Sequence, residues 1–142
     1  ADAHCQALAS AKLSGNFKAW LSDDTGSPST RFDTNFTGAY QLVDGTSIVS
    51  GGWAELTSGN LKHATDRDEQ NNVLDEATPW SNTTSDGTKV TMDEASCMNW
   101  TSKLLAVSGR VGDSSAMDAA WSDAGAIPCS VPLPLYCFED PL

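Results

Sequence analysis

Positive charge is scarce in this chain of 142 residues: 8 Lys plus Arg stand against 19 Asp plus Glu, a formal net charge of -11. The cations are scattered singly. A surface of this balance repels phosphate backbones, heparin-like polyanions and anionic headgroups, which weighs against nucleic acid and polybasic membrane docking. Long apolar runs are missing too. The longest are pieces such as residues 104–107, far short of the roughly 18 that a membrane-spanning helix needs, so no membrane insertion is expected. Histidine is limited to His4 and His63, and no two cysteines have Cys-x-x-Cys spacing, which leaves little for a zinc site. There is no Gly-x-Ser-x-Gly elbow and no His-Glu-x-x-His, and Gly109-Arg110-Val111-Gly112 has the wrong length and context for a phosphate loop. A Ser/His/Asp set can be drawn on paper only because Ser and Asp are abundant. Paired carboxylates of the glycosidase kind are defined by separation in space, which sequence does not give. The chain reads as a non-enzyme.

What is present is enough for a core. At 39% hydrophobic, with 5 Trp, 4 Phe and 2 Tyr, the chain is too apolar and aromatic for a disordered acidic tail. Its length suits one domain, residues 1–142, that buries roughly two-thirds of the surface of its unfolded form. Four Cys is an even number, which favours disulfides in an oxidising compartment; three connectivities are open. The start Ala1-Asp2-Ala3 suits a product of signal-peptide removal as well as a trimmed chain, and the cysteines tip the expectation toward secretion or surface display.

Local patterns place the elements. Cys5, Leu8, Ala9 and Leu13 fall near helical spacing, predicting a helix over residues 2–14 with Asp2 as N-cap and Gly15 as stop. Alternation over 17–21 predicts a strand, and 22–29 is loop chemistry. A second strand is expected at 40–43, followed by a turn at Asp44-Gly45, and a short helix at 53–56 between Gly52 and Gly59. Residues 60–89 are polar and weakly periodic, a long loop region with one or two short strands and the natural place for a binding surface. Core-like character returns at 96–100, residues 108–117 read as Gly/Ser-rich loop, and Trp121 restarts packing. The last strand is expected at 133–138, with Pro132 and Pro134 holding its beginning outside the ladder. The sum is one mixed α and β domain whose ends lie close together.

Several pieces line up with a known pattern. Cys5-Gln6-Ala7, then Leu13-Ser14-Gly15-Asn16-Phe17-Lys18-Ala19-Trp20-Leu21-Ser22, Tyr40-Gln41-Leu42-Val43-Asp44-Gly45, Trp53-Ala54-Glu55-Leu56, Ser96-Cys97-Met98-Asn99-Trp100-Thr101, Cys129 and Leu135-Tyr136-Cys137-Phe138-Glu139 together resemble endostatin. The match is closer to bacterial endostatin-like domains of exported proteins, among them leptospiral surface proteins that bind host factors. The resemblance spans essentially the whole chain. It implies an α+β, C-type-lectin-like fold, with a twisted, mainly antiparallel sheet flanked by two helices and a long projecting loop region. It also implies the disulfides Cys5 with Cys137 and Cys97 with Cys129. Endostatin's heparin site needs clustered arginines, whereas this chain has only Arg31, Arg67 and Arg110, and of its N-terminal zinc histidines only His4 remains.

Candidate site residues follow, each with a plainer reading beside it. Calcium-dependent lectins of this fold use Glu-Pro-Asn or Gln-Pro-Asp with Trp-Asn-Asp, because calcium takes six to eight oxygens. Trp80-Ser81-Asn82 and Trp121-Ser122-Asp123 are only superficially similar. Trp80 and Trp121, with Asn82 and Asp123, border the loops and are candidates for stacking on a sugar or anchoring a protein; packing that pins the loops is the plainer reading. Trp20, Trp53 and Trp100 read as core. The acidic patch Asp66, Asp68, Glu69, Asp75 and Glu76 is the best candidate for Ca²⁺, although the EF-hand pattern is absent and a solvated loop would look the same. Asp23-Asp24 and Asp93-Glu94 read as solvated, with Asp93 a candidate turn cap. Sequons occur at Asn35, Asn82 and Asn99. The expected role is a recognition or adhesion module that presents loops 60–89 and 108–126 to an extracellular protein or glycan. The alternatives are self-assembly into a filament through the Pro-flanked last strand or the N-terminal arm, and calcium-dependent glycan binding.

Overall fold

The computed structural model describes residues 1–92 and 95–141, so the Asp93-Glu94 pair lies outside the described residues. Helix α1 (Asp2–Ala9) buries Cys5 and Ala9 on one face. It ends well before Gly15, because the chain turns over at Ser10. Asp2 is not its cap. The Ala19 amide donates to Asp2 Oδ1 at 2.9 Å and Arg31 Nη1 donates to Oδ2 at 2.9 Å, so this carboxylate fastens the helix start to its neighbours. Gln6 does the same from the next turn, accepting from the Phe17 amide at 2.8 Å.

Strand β1 (Asn16–Ala19) pairs antiparallel with the last strand, β6 (Cys137–Asp140), placing Asn16 opposite Asp140 and Ala19 opposite Cys137. The two ends of the chain therefore meet, as expected. Cys5–Cys137 closes them covalently across 5.4 Å between Cα atoms, and Cys97–Cys129 forms the second bridge, in the pairing that the resemblance implies. Asp140 is almost fully buried, and it is held by an ion pair with Lys18 and by the Asp33 amide at 3.0 Å. A buried charge without such partners would be strongly destabilising.

Between these ends, a four-residue helix α2 (Pro28–Arg31) begins with Pro after a Ser27/Thr30 capping box. Strands β2 (Tyr40–Gln41) and β3 (Ser47–Val49) form a hairpin whose turn is the expected Asp44-Gly45: the Thr46 amide donates to Asp44 Oδ1 at 2.9 Å and Gly45 sits at φ +88°. Helix α3 (Gly52–Leu56) starts at φ +66°, where a Cβ on Gly52 would come within 2.0 Å of the Phe36 carbonyl oxygen. Only glycine fits there. Residues 60–89 are mainly loop, with isolated bridges Arg67/Val73 and Thr83/Lys89 closing two small hairpins.

The segment expected to be a Gly/Ser-rich loop contains a strand. Strand β4 (Ser108–Val111) pairs antiparallel with β5 (Gly125–Pro128), and a short 3₁₀ turn, Ala119–Trp121, lies between them. Its composition has a steric cause: a Cβ on Gly109 would fall 2.7 Å from Cys97 Sγ and 2.9 Å from the Trp80 ring. Before β4, residues Cys97–Trp100 form a left-handed turn, with φ between 51° and 62° at all four positions. The last strand starts at Cys137, later than residue 133, and Pro132 and Pro134 precede the ladder as anticipated. The result is a small mixed fold of short antiparallel sheets, few helices and two disulfides. Among the described residues the strands form three two-stranded ladders, and single bridges join Trp80 to Val111 of β4 and to Leu135 just before β6.

The core is aromatic and centres on Trp20. This ring is fully buried, with centroids 4.9 Å from Trp121, 5.7 Å from Trp53, 5.9 Å from Phe138 and 6.2 Å from Phe32. Its indole N–H donates to Ser122 Oγ at 2.7 Å, which satisfies the one polar group the ring carries inside. Trp53 is core as expected; Trp100 is only half-buried.

The two disulfides close loops of very different size, with sequence separations of 132 and 32. The chain-entropy account assigns the longer about 5 kcal/mol and the shorter about 3.7 kcal/mol. Urea unfolding of Cys5→Ala/Cys137→Ala should therefore show the larger loss of stability, and Cys97→Ala/Cys129→Ala the smaller. A reversed order would show that native packing around Cys97, not chain entropy, sets the ranking.

Candidate functional site

Of the four residues offered as ligand contacts, Trp121 and Asn82 lie inside the fold and Trp80 and Asp123 are half-buried. Trp121 and Asn82 are both 0% exposed: for Trp121 this is the plainer reading, packing that pins the loops, and for Asn82 it corrects the expectation that it contacts a ligand. The reason lies in the packing of the loops on one another. Residues 81–83 cross beneath β4 and the 3₁₀ turn as a buried polar knot. Ser81 N donates to the Arg110 carbonyl at 3.0 Å, Asn82 Nδ2 to the Ser22 carbonyl at 3.2 Å, and Ser122 Oγ to the Thr83 carbonyl at 2.6 Å. Ser22 and Thr83 share a hydroxyl contact of 2.8 Å. A run of Ser, Asn and Thr looks solvent-facing in sequence, and only its pairing inside the fold permits burial.

Trp80 is half-buried and pins the same loops. Its amide donates to the Pro134 carbonyl at 3.0 Å and its ring lies 5.7 Å from Trp100. Asp123 is committed to Arg110, whose Nε donates to Asp123 Oδ1 at 2.7 Å and whose Nη2 approaches the same oxygen at 2.6 Å. The other arginines are engaged as well. Arg31 Nη2 donates to the Ala19 and Leu21 carbonyls, and Arg67 faces Asp66 at 3.7 Å. No cluster of guanidinium groups faces outward for a polyanion.

The acidic patch does not gather into a cation cage. Among the described residues no three or more His, Cys, Asp or Glu side chains come together as a metal site, and the proposed set Asp66, Asp68, Glu69, Asp75 and Glu76 is spread along a hairpin. Asp68 Oδ1 accepts from the Gln70 amide at 2.9 Å and the Asn72 amide at 2.8 Å, while Oδ2 accepts from Asn72 Nδ2 at 2.8 Å. The Asn72 side-chain bond, then its backbone bond, holds this carboxyl below its ordinary range. It shapes a turn. Neither histidine is aligned with a hydroxyl among the described residues; His63 Nδ1 faces the Ala64 carbonyl at 2.8 Å and His4 is exposed. Of the sequons, Asn82 is buried, Asn99 accepts from the Asp24 amide at 2.8 Å, and Asn35 is exposed.

A concave site exists elsewhere. A groove of about 800 Å³ lies between α1, the β2–β3 hairpin, the 66–74 hairpin and the last strand. A recess of about 280 Å³ lined by Lys12, Gln70 and Asn71 shares its Leu8–Leu13–Val43 wall. Leu8, Leu13 and Val43 are 37%, 43% and 44% exposed, an unusual openness for neighbouring aliphatic side chains. Tyr40, Phe138 and the Cys5–Cys137 bridge share the lining, and its carboxylates are Asp68, Glu69 and Glu139, beside His4 and Arg67, the last facing Asp66. Tyr40 and Thr65 also line the groove, and each carries a buried hydroxyl without a hydrogen-bond partner among the described residues. Sequence reading missed this site because its walls come from four segments that are far apart in the chain.

Burial, followed by the Asp140 and Asp33 carboxylates, pushes the Tyr40 phenol up to about 12 from an ordinary value of 10.0. Burial also raises Tyr136, whose hydroxyl donates to the Trp121 carbonyl at 2.8 Å. A scan against protein-family models found no match, and a search of curated proteins found none.

These observations give two expectations. The chain has only two tyrosines. As pH rises above 10, the phenols of the unfolded chain ionise while those of the folded chain stay protonated, so the native state holds more protons and its stability falls from 10 toward 12. Tyrosinate absorbance should be nearly absent in the folded protein just above pH 10 and appear at once in urea; normal titration of either ring in the native state would contradict its burial. Millimolar Ca²⁺ is expected to leave the melting temperature unchanged. A rise that Asp66→Asn/Asp68→Asn abolishes would show that the carboxylates do converge on the ion.

Proposed function

We propose that this is a secreted or surface-displayed, non-enzymatic recognition module of the endostatin-like, C-type-lectin-like class, and that it binds extended segments of extracellular proteins in the groove beside α1. The observation that carries this reading is the groove itself: about 800 Å³, lined by aliphatic side chains and by carboxylates. Two disulfides fit an oxidising compartment, and among the described residues no helix is long and apolar enough to cross a membrane. The order of sequence pieces and the cysteine pairing support the family reading.

Protein is favoured over glycan by the chemistry of the walls. Sugar faces stack on exposed aromatic rings, whereas Leu8, Leu13 and Val43 offer aliphatic surface and the tryptophans of the loops are buried or half-buried. Aliphatic side chains of a peptide would fill the groove, and basic flanks would meet Asp68, Glu69 and Glu139. An array of extended peptides that alternate aliphatic and basic residues, run beside a glycan array, tests the reading. Peptides should bind, Val43→Glu should weaken binding at least about tenfold, and Trp80→Ala should leave it within about threefold. Glycan binding that Trp80→Ala removes and Val43→Glu does not would return the site to the loops.

A further inference from the structure

A second exposed apolar surface is a tip next to the second disulfide. Leu104 and Leu105 are 62% and 73% exposed, Met98 is 63% exposed and Val131 39%. They sit close together, because the Ser102 amide donates to the Cys97 carbonyl at 2.9 Å, the Val107 amide to the Leu104 carbonyl at 3.3 Å and the Cys129 amide to the Val107 carbonyl at 2.8 Å, while Cys97 and Cys129 are bridged. The tip is held out by unusual backbone. Four successive residues without glycine, Cys97 to Trp100, have positive φ. Left-handed geometry is unfavourable for L-residues with a Cβ and persists only where the surroundings enforce it. Here the disulfide, the Trp100 Nε1 bond to the Ser22 carbonyl at 2.9 Å and the Asp24 amide bond to Asn99 Oδ1 at 2.8 Å enforce it. A right-handed turn would not put Met98 in the same place.

The charge of the tip is the opposite of the rest of the chain. Lys103 is the only charged residue between positions 95 and 109 of a chain whose net charge is -11, and it pairs with no carboxylate among the described residues. The groove offers the complement: aliphatic walls with three carboxylates, Asp68, Glu69 and Glu139, against one arginine, Arg67, which already faces Asp66. Tip and groove share no residue, so two copies can join head to tail and leave one tip and one groove free, the geometry that grows a chain if rotation does not close it.

We propose that the Lys103-Leu104-Leu105 tip of one copy docks in the groove of a second copy. This contact rests on the groove being a peptide-binding site and supplies it with one particular occupant. The two leucines fill the apolar walls and Lys103 meets the carboxylates. The excess negative charge of each copy opposes approach at low ionic strength, and at physiological salt its reach shrinks to about 8 Å, so the local pairing decides. Self-association should therefore strengthen as salt rises from low to physiological.

Sedimentation equilibrium from micromolar to millimolar protein is the test. The wild-type mass should climb from the 15.0 kDa of one copy as concentration rises. Leu105→Glu and Val43→Glu, both at exposed positions, should each remain a single copy when alone. Mixed, they should recover a two-copy species, because one keeps its groove and the other its tip. Lys103→Glu, which leaves the leucines in place, should weaken association about tenfold. Near-UV circular dichroism matching the wild type shows that each variant has folded. A wild type that stays at one copy throughout, association that survives either glutamate variant, or a mixture that recovers nothing would overturn the proposal. If the single-copy wild type still binds the aliphatic-basic peptides, only self-docking is lost; if it binds neither, the recognition reading falls too.

Discussion

The fold depends on joining the two ends of the chain. Cys5–Cys137 and the β1–β6 ladder bring residues 132 positions apart into contact, and nearly everything else hangs from that closure. Asp2 anchors the start of α1 to β1 and to Arg31, and Asp140 anchors the end of β6 to Lys18 and to the Asp33 amide. Helix α1 has only eight residues, too few to be stable alone in water, so its existence follows from the face it packs on this ladder. The same closure forms the floor of the groove. Structure and candidate function therefore share one covalent bond.

Inside, a single aromatic cluster replaces the broad sheet-and-helix layers of a larger domain. Trp20 touches Phe32, Trp53, Trp121 and Phe138, elements drawn from the whole length of the chain. Large rings bury much area per residue, which lets strands of two to four residues share a core. Close packing then dictates glycine where backbone meets backbone: at Gly112 a Cβ would lie 2.0 Å from the Trp121 carbonyl oxygen. The hydroxyl and amide groups of residues 81–83 fill the remaining polar space with hydrogen bonds, and this is why loops rich in Ser and Thr could become interior.

Acidity divides the surface by function. Most carboxylates with resolved shifts, such as Asp23, Asp44, Asp68 and Asp86, are lowered by turn hydrogen bonds and act as local caps of loops. Around the groove, Asp68, Glu69 and Glu139 stand beside apolar lining residues, and the tip, residues 95–109, carries Lys103 as its one charge. The excess negative charge opposes the approach of two copies, and the proposed docking rests on the local match of tip and groove. The proposed recognition and the proposed self-association draw on the same site.

The sequence by itself determined a folded acidic domain, disulfides, the hairpin at Asp44-Gly45, the short helix before Gly59 and a core built on Trp20 and Trp53. These are short-range or compositional signals, written by turn chemistry, glycine spacing and aromatic content. It misjudged β4, because Gly109 is dictated by Cys97 and Trp80 from elsewhere in the chain, and it offered Asn82 as a ligand contact where the loops fold over it. It also offered Asp66, Asp68 and Glu69 as a cation site, whereas a turn uses Asp68 for its own amides. Only the tertiary structure decided the groove and the tip. Each is assembled from segments that adjoin through long-range closure, and periodicity along a chain carries no record of which distant segments will meet.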